Sequence, residues 1–146
     1  MAELVRDVMT PAATSVRPDA SLVEAAQLMR AQDIGDVLVT EAGRLLGLIT
    51  DRDIALRAVA DGADPLTVSC RSVCTPEPVT VAPDEDVSTA VDLMRSHAVR
   101  RLPVVENGRP LGFVTIGDLA GVRDAGAVLA DISRAEPRGG ENGVPA

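Results

Sequence analysis

Leu46-Gly-Leu-Ile-Thr-Asp-Arg-Asp53 returns 65 residues later as Leu111-Gly-Phe-Val-Thr-Ile-Gly-Asp118. The recurrence extends well beyond this stretch. Sliding residues 8–53 onto 73–118 aligns them without a gap and matches 18 of 46 positions, where composition alone gives about three or four, so the chain contains a duplication. The shared frame runs Val-x-Thr-Pro from Val8, Val-x-Pro-Asp from Val16, Ala-x-x-Leu-Met-Arg from Ala25 and Val-x-Glu-x-Gly-Arg-x-Leu-Gly from Val39, and it closes on the Thr-x-x-Asp that ends at Asp53. Two copies of one unit imply an approximate two-fold axis. Any groove formed between copies should then occur twice.

A unit of about 60 residues buries too little surface to be stable alone, so the halves are expected to share a core. Of the 146 residues, 46% are hydrophobic and Phe113 is the only aromatic; the core is therefore aliphatic and cannot stack a base on a ring. The net charge of −8 opposes a phosphate-backbone footprint and hence nucleic-acid binding. All 14 basic residues are arginine, which removes P-loop, Schiff-base and lysine-base chemistry. No uncharged apolar run approaches the roughly 20 residues of a membrane span, and the chain reads as cytoplasmic, with no membrane partner. Cys70 and Cys74 have no further cysteine to pair with and read as buried reduced thiols. His97 is the single histidine, which excludes a two-histidine metal site within the chain.

Within the first copy, Thr14–Val16 reads as a short strand and Ser21-Leu-Val-Glu24 as a capping box opening a helix. Leu22, Ala25, Ala26 and Met29 form that helix's apolar stripe, repeated as Val87, Ala90, Val91 and Met94. Two strands follow around Glu41-Ala-Gly-Arg44, or around Asn107-Gly108 in the second copy. A second helix runs from about Thr50 to Asp61, with Gly62 as its stop, and from about Thr115 in the second copy. The fold class is α+β, each copy being strand, helix, strand, strand, helix. The boundaries are 4–66 and 67–132, and the breaker-rich stretch 133–146 reads as a disordered tail.

With duplication, element order and the Gly-x-x-Thr-x-x-Asp ending together, the chain resembles a tandem pair of CBS domains, the Bateman module, of the stand-alone type. The likeness spans about residues 4–132 and is carried by Asp33–Val39, Gly47–Ile54, His97–Val105 and Gly112–Leu119. It implies two CBS motifs packed about a pseudo-two-fold axis, with an adenosine-containing ligand, AMP, ADP or ATP, in the clefts between them. It also implies a regulatory, stress-related role, a homodimer and an effector protein that the sequence does not identify. No obligatory cofactor is expected.

The resemblance assigns ligand contacts to Thr50, Asp53, Thr115 and Asp118, the aspartates accepting the vicinal ribose hydroxyls and the threonines facing the phosphate end. Taken as residues alone, the same pairs are helix caps, each stabilising by about 1 kcal/mol or less. A purine is expected to lie between aliphatic side chains, such as those of Ile34 and Val99 before the second strand of each copy, and the resemblance implies that the first strands, at Val16 and Val81, offer backbone amide and carbonyl groups to its edge. Arg100 and Arg101 suit a phosphate, whereas copy one has Gly35 and Asp36 there. An anionic side chain beside a phosphate is unfavourable, so the two clefts are expected to be unequal; which is better depends on whether the arginines reach across to the Asp53 side, and that side is the expected one. No base, nucleophile and metal constellation supports an enzyme. The competing reading is a ligand-free interaction and dimerisation module in which both Thr-x-x-Asp pairs are only caps.

Overall fold

The structure, a computed structural model, describes residues 3–11 and 13–120. It is α+β. The leading stretch holds α1 (Val5–Val8) and β1 (Thr10–Pro11), followed by β2 (Ser15–Val16), α2 (Leu22–Gln32), β3 (Asp36–Glu41), β4 (Arg44–Thr50) and α3 (Asp51–Ile54). The second copy repeats them as α4 (Cys70–Val73), β5 (Thr75–Pro76), α5 (Val87–His97), β6 (Arg101–Glu106), β7 (Arg109–Thr115) and α6 (Ile116–Leu119). The counterpart of β2 is reduced to one parallel bridge, Val81 to Val104. The predicted tail at 133–146, and the second helix of copy two beyond Ala120, lie outside the described residues.

Repeat and compact unit are not coextensive. Among the described residues, one unit gathers Thr14–Pro78, and the other joins those up to Ala13 to those from Val79 to Ala120. The leading segment of each copy is thus exchanged onto the body of the other. In one unit β1 lies antiparallel to β7 with Thr10 opposite Phe113, and in the other β5 lies antiparallel to β4 with Thr75 opposite Leu48. The same hydrogen bonds recur at a spacing of 65. Val5 N–H donates to Glu85 O as Cys70 N–H donates to Ala20 O, and Arg6 N–H donates to Pro83 O as Arg71 N–H donates to Pro18 O.

The Leu-Gly pair in each copy makes this crossing possible. A Cβ at Gly112 would lie 2.1 Å from the Thr10 carbonyl oxygen, and one at Gly47 would lie 2.8 Å from the Thr75 carbonyl oxygen and 2.7 Å from Cys74 Sγ. Only a residue without a side chain lets the leading strand approach so closely. The hairpins around these glycines turn through Ala42-Gly43 (φ 53° and 78°) and Asn107-Gly108 (φ 53° and 79°). Two consecutive positive φ angles match the right-handed twist of the flanking strands.

The helix stripes are as the periodicity requires, with one correction. Leu22, Ala25 and Met29 are buried, but Ala26 is exposed, while its counterpart Val91 is buried. The i+4 slot lies at the edge of the apolar face, where a methyl group is too short to reach the core and an isopropyl group is not. Ser21 Oγ accepts the Glu24 N–H and caps α2. The predicted second helix is also more complex than a plain α-helix: after Ile54 it continues as a π-helical turn, Ala55–Val59, with Ala60 N–H donating to Ala55 O.

Cys70 and Cys74 bracket α4 and are free and buried. Burial, then the Glu24 and Cys74 charges, push the Cys70 thiol up to about 11, above the 9.0 of an unburied thiol. A group whose folded pKa is raised favours folding only while it is protonated, so stability is retained below pH 9 and lost as pH climbs towards 11.

Two outcomes are expected. Gly112→Ala should lower unfolding free energy by about 3 kcal/mol or prevent folding, because backbone must move to admit the Cβ. Gly117→Ala, whose Cβ meets nothing closer than 3.5 Å, should be neutral or slightly stabilising; urea melts of both decide the matter. Denaturation at pH 8.5 and 10.5 should show an alkaline loss of about 2 kcal/mol from the Cys70 thiol, which Cys70→Ala removes.

Candidate functional site

The two Thr-x-x-Asp turns form alike from local chemistry. Each begins where a strand ends and a helix opens, leaving backbone N–H groups without helical partners. Thr115 Oγ1 takes the Asp118 N–H at 3.1 Å and Asp118 Oδ2 takes the Thr115 N–H at 2.9 Å. Thr50 and Asp53 do the same at 3.0 Å in both directions. These are complete capping boxes, so the purely structural role assigned to them holds in both copies.

The second carboxylate oxygen separates the two sites. In one unit Asp118 Oδ1 accepts the Thr10 hydroxyl at 3.2 Å, and Asp118 is half-buried. In the other, Asp53 is only 4% exposed, and its Oδ1 stands 3.7 Å from Arg57 Nε, one helical turn on. Arg57 is held in turn by its Nη1, which donates to Val73 O at 3.0 Å. Burial raises the Asp53 carboxyl above its ordinary value, and this outweighs the Thr50 N–H, the Arg57 charge and the Thr50 hydroxyl, all of which favour the carboxylate.

Thr75 is the repeat counterpart of Thr10 and has the same strand register, yet it behaves differently. It is 7% exposed and its hydroxyl finds no hydrogen-bond partner among the described residues. Leaving a hydroxyl buried without a partner costs about 1–3 kcal/mol. The Thr10–Asp118 bond of one unit is thus replaced by the Arg57–Asp53 ion pair in the other.

Sequence reasoning did not single out Thr10, Thr75 or Arg57. The Thr-Pro pairs at 10 and 75 were visible as part of the repeat, but no local signal shows that the leading segments cross to the other copy's body. Arg57 stands where the second copy has Val122, a difference as plain in the sequence as the Arg100–Arg101 contrast.

The aliphatic positions assigned to a purine serve the core first. Val16, Val81 and Val99 are 5%, 2% and 1% exposed, while Ile34 is partly buried. Val81 N–H donates to Pro103 O, and Val81 O accepts the Val105 N–H, so both its backbone groups are spent on β6. Backbone groups on the opposite edge belong to the alternate residues, such as Thr80. The Arg101 guanidinium lies 4.5 Å over the Phe113 ring, a cation–π contact that commits Arg101 within its own unit. Asp36, where copy one departs from the arginines, is 9% exposed at the start of β3 opposite Thr50. His97 closes α5, its Nδ1 within 3.1 Å of Leu93 O.

One open groove of about 700 Å³ lies in the Thr14–Pro78 unit, lined by residues that include Arg17, Asp19, Glu41 and Arg71. Its arginines are engaged, Arg71 with Glu41 at 3.3 Å and Arg17 with Asp19 at 3.6 Å. It sits at the turn end of the β3–β4 hairpin, whereas Thr50 and Asp53 lie at the opposite end, so it is distinct from the Thr-x-x-Asp turn. Among the described residues, no group of three or more His, Cys, Asp or Glu could hold a metal ion. None of the described helices is long and apolar enough to cross a membrane.

Comparison with known proteins matches the CBS domain to residues 5–59 and again to 70–124. The CBS domain-containing protein YhcV of Bacillus subtilis is 40% identical over 133 residues, covering 88% of this chain and 94% of that protein. Hypoxic response protein 1 of Mycobacterium tuberculosis is 35% identical over 116 residues, covering 79% of this chain and 81% of its own length. A crystal structure of Hypoxic Response Protein I with two coordinated zinc ions superimposes with a TM-score of 0.75 at 34% identity, over 81% of this chain and 97% of that one. The structure of a hexameric CBS-CP12 protein from bloom-forming cyanobacteria aligns at a TM-score of 0.71 and 25% identity, over 87% of this chain and 75% of that one.

The threonine contrast is directly measurable. Thr10→Val should lower stability by about 0.5–1 kcal/mol through loss of the Asp118 bond, whereas Thr75→Val should be neutral or stabilising because it removes a buried hydroxyl with no partner among the described residues. Paired thermal melts report both.

Proposed function

Since the chain belongs to the CBS-domain family and carries two copies in tandem, we propose that it is a regulatory module that binds an adenosine-containing ligand, AMP, ADP or ATP, at its Thr-x-x-Asp turns. The observation that carries this reading is Asp118. Its carboxylate is half-buried, is oriented by the Thr115 N–H, and holds the Thr10 hydroxyl through its other oxygen. A ribose diol offers two O–H donors, one of which can take the place of that hydroxyl without leaving the carboxylate unpaired, and a charge-assisted bond of this kind is about twice as strong as a neutral one. Thr115, at the start of α6, and Arg100 lie in the same unit and face the phosphate end in this reading.

Exposure and internal pairing make the two sites unequal, and they reverse the ranking expected from the arginines. Asp118 is the accessible acceptor and Asp53 the occupied one. The module reports its ligand by a population shift, whose size is set by the differential affinity of the ligand for two arrangements. A homodimer accompanies this function. Leu56, Val59 and Leu66 are 54%, 62% and 69% exposed, and large apolar side chains left in water favour association. The same side chains support the second reading, a ligand-free dimerisation module.

The absence of Trp and Tyr provides a sensitive assay, because the pure protein hardly absorbs at 280 nm. A 260 nm band should accompany the purified protein and disappear on denaturing filtration, with the released compound identified by mass. Calorimetry on stripped protein should give heat with AMP, ADP or ATP whose tighter phase Asp118→Ala removes, leaving only the weaker binding of the Asp53 side. Heat from none of them, with melting temperature unchanged by each and a dimer in the ultracentrifuge, would establish the second reading instead.

A further inference from the structure

We infer that Arg57 is a built-in competitor for the Asp53 carboxylate, a positioning residue that keeps the first copy's site closed to a ribose diol. The inference rests on the nucleoside reading above and adds the element that regulates one of its two sites.

Three observations converge on it. The Asp53 carboxylate is 4% exposed, with one oxygen committed to the Thr50 N–H and the other facing the Arg57 guanidinium at 3.7 Å. Arg57 is itself fixed by the Val73 carbonyl at 3.0 Å, on the exchanged leading segment that also carries Thr75. The Thr75 hydroxyl, buried and without a hydrogen-bond partner among the described residues, stands in the register position from which Thr10 reaches Asp118. In the Asp118 unit the carboxylate is shared with a neutral hydroxyl that a ligand hydroxyl replaces like for like. In the Asp53 unit a diol must displace a cation from a buried anion, and the guanidinium must find another partner. Removing Arg57 leaves a carboxylate available to the diol and, on the ligand-free protein, to the Thr75 hydroxyl.

The ion pair has one half-exposed partner, and pairs of that kind contribute about 1 kcal/mol or less. Losing the competitor is therefore worth about fivefold in affinity. Adenosine is the appropriate probe, since it carries the diol without a phosphate and so does not reward the arginine for its charge. With Asp118→Ala as the background that silences the other unit, calorimetry should show adenosine binding about fivefold more tightly to Arg57→Met/Asp118→Ala than to Asp118→Ala alone. 2′-Deoxyadenosine should show no such gain. Arg57→Lys, which keeps the charge but shortens the reach, guards against misfolding of the methionine variant and should fall between the two. Equal or weaker adenosine binding in both Arg57 variants, while the wild-type protein still binds AMP through Asp118, would overturn the inference and leave the nucleoside reading standing. Failure of adenosine and AMP to bind wild-type protein and every variant would overturn both.

Discussion

The close approach of a leading strand to a glycine in the other copy's hairpin is the constraint on which the rest of the structure depends. At Gly112 and Gly47 there is room for a backbone carbonyl and for nothing more. Because β1 and β5 can lie there, each compact unit is completed by about a dozen residues from the opposite repeat, as expected for a duplicated unit too small to bury an adequate core by itself. The exchange also sets which polar groups meet. It brings Thr10 to Asp118, and it brings the Val73 carbonyl within reach of Arg57.

The two carboxylates then differ by what completes their hydrogen bonding. Both turns satisfy their helix caps in the same way, so the repeat accounts for the similarity. One difference in sequence, arginine at 57 against valine at 122, gives Asp53 its second partner. A buried aspartate beside a fixed cation is occupied, because breaking the pair leaves a buried charge without compensation. A half-buried aspartate holding a neutral hydroxyl can trade partners. An anionic protein without lysine gains phosphate affinity only where an arginine remains available, and Arg101 is already stacked on Phe113.

Much of this was legible in the sequence because it rests on local rules. The repeat spacing, the hairpin residues at 42–43 and 107–108, the helix stripes and both capping pairs all follow from neighbours within a few positions. Ala26 shows the limit of periodicity, which locates a face but not the reach of a small side chain at its edge. The segment exchange was not legible, since pairing between β1 and β7 joins residues a hundred positions apart and Thr-Pro carries no signal of its partner. For the same reason the internal partners of Asp53 and Asp118 escaped a reading built on motifs, and the ranking of the two sites inferred from Arg100, Arg101 and Asp36 ignored the arginine at 57. For the positions assigned to a purine, Val16, Val81 and Val99, the strand position follows from alternation, whereas their burial depends on what packs over them.

Binding of AMP through the Asp118 carboxylate is the central claim, and the backbone amides of the Thr-x-x-Asp turns report it most directly. In a titration of ¹⁵N-labelled protein with AMP, the Thr115 and Asp118 amides should shift at the lowest concentrations, with Thr50 and Asp53 following only at higher ones. Shifts that begin at Asp53, or that are confined to the Arg17–Arg71 groove while Thr115 and Asp118 stay fixed, would contradict it.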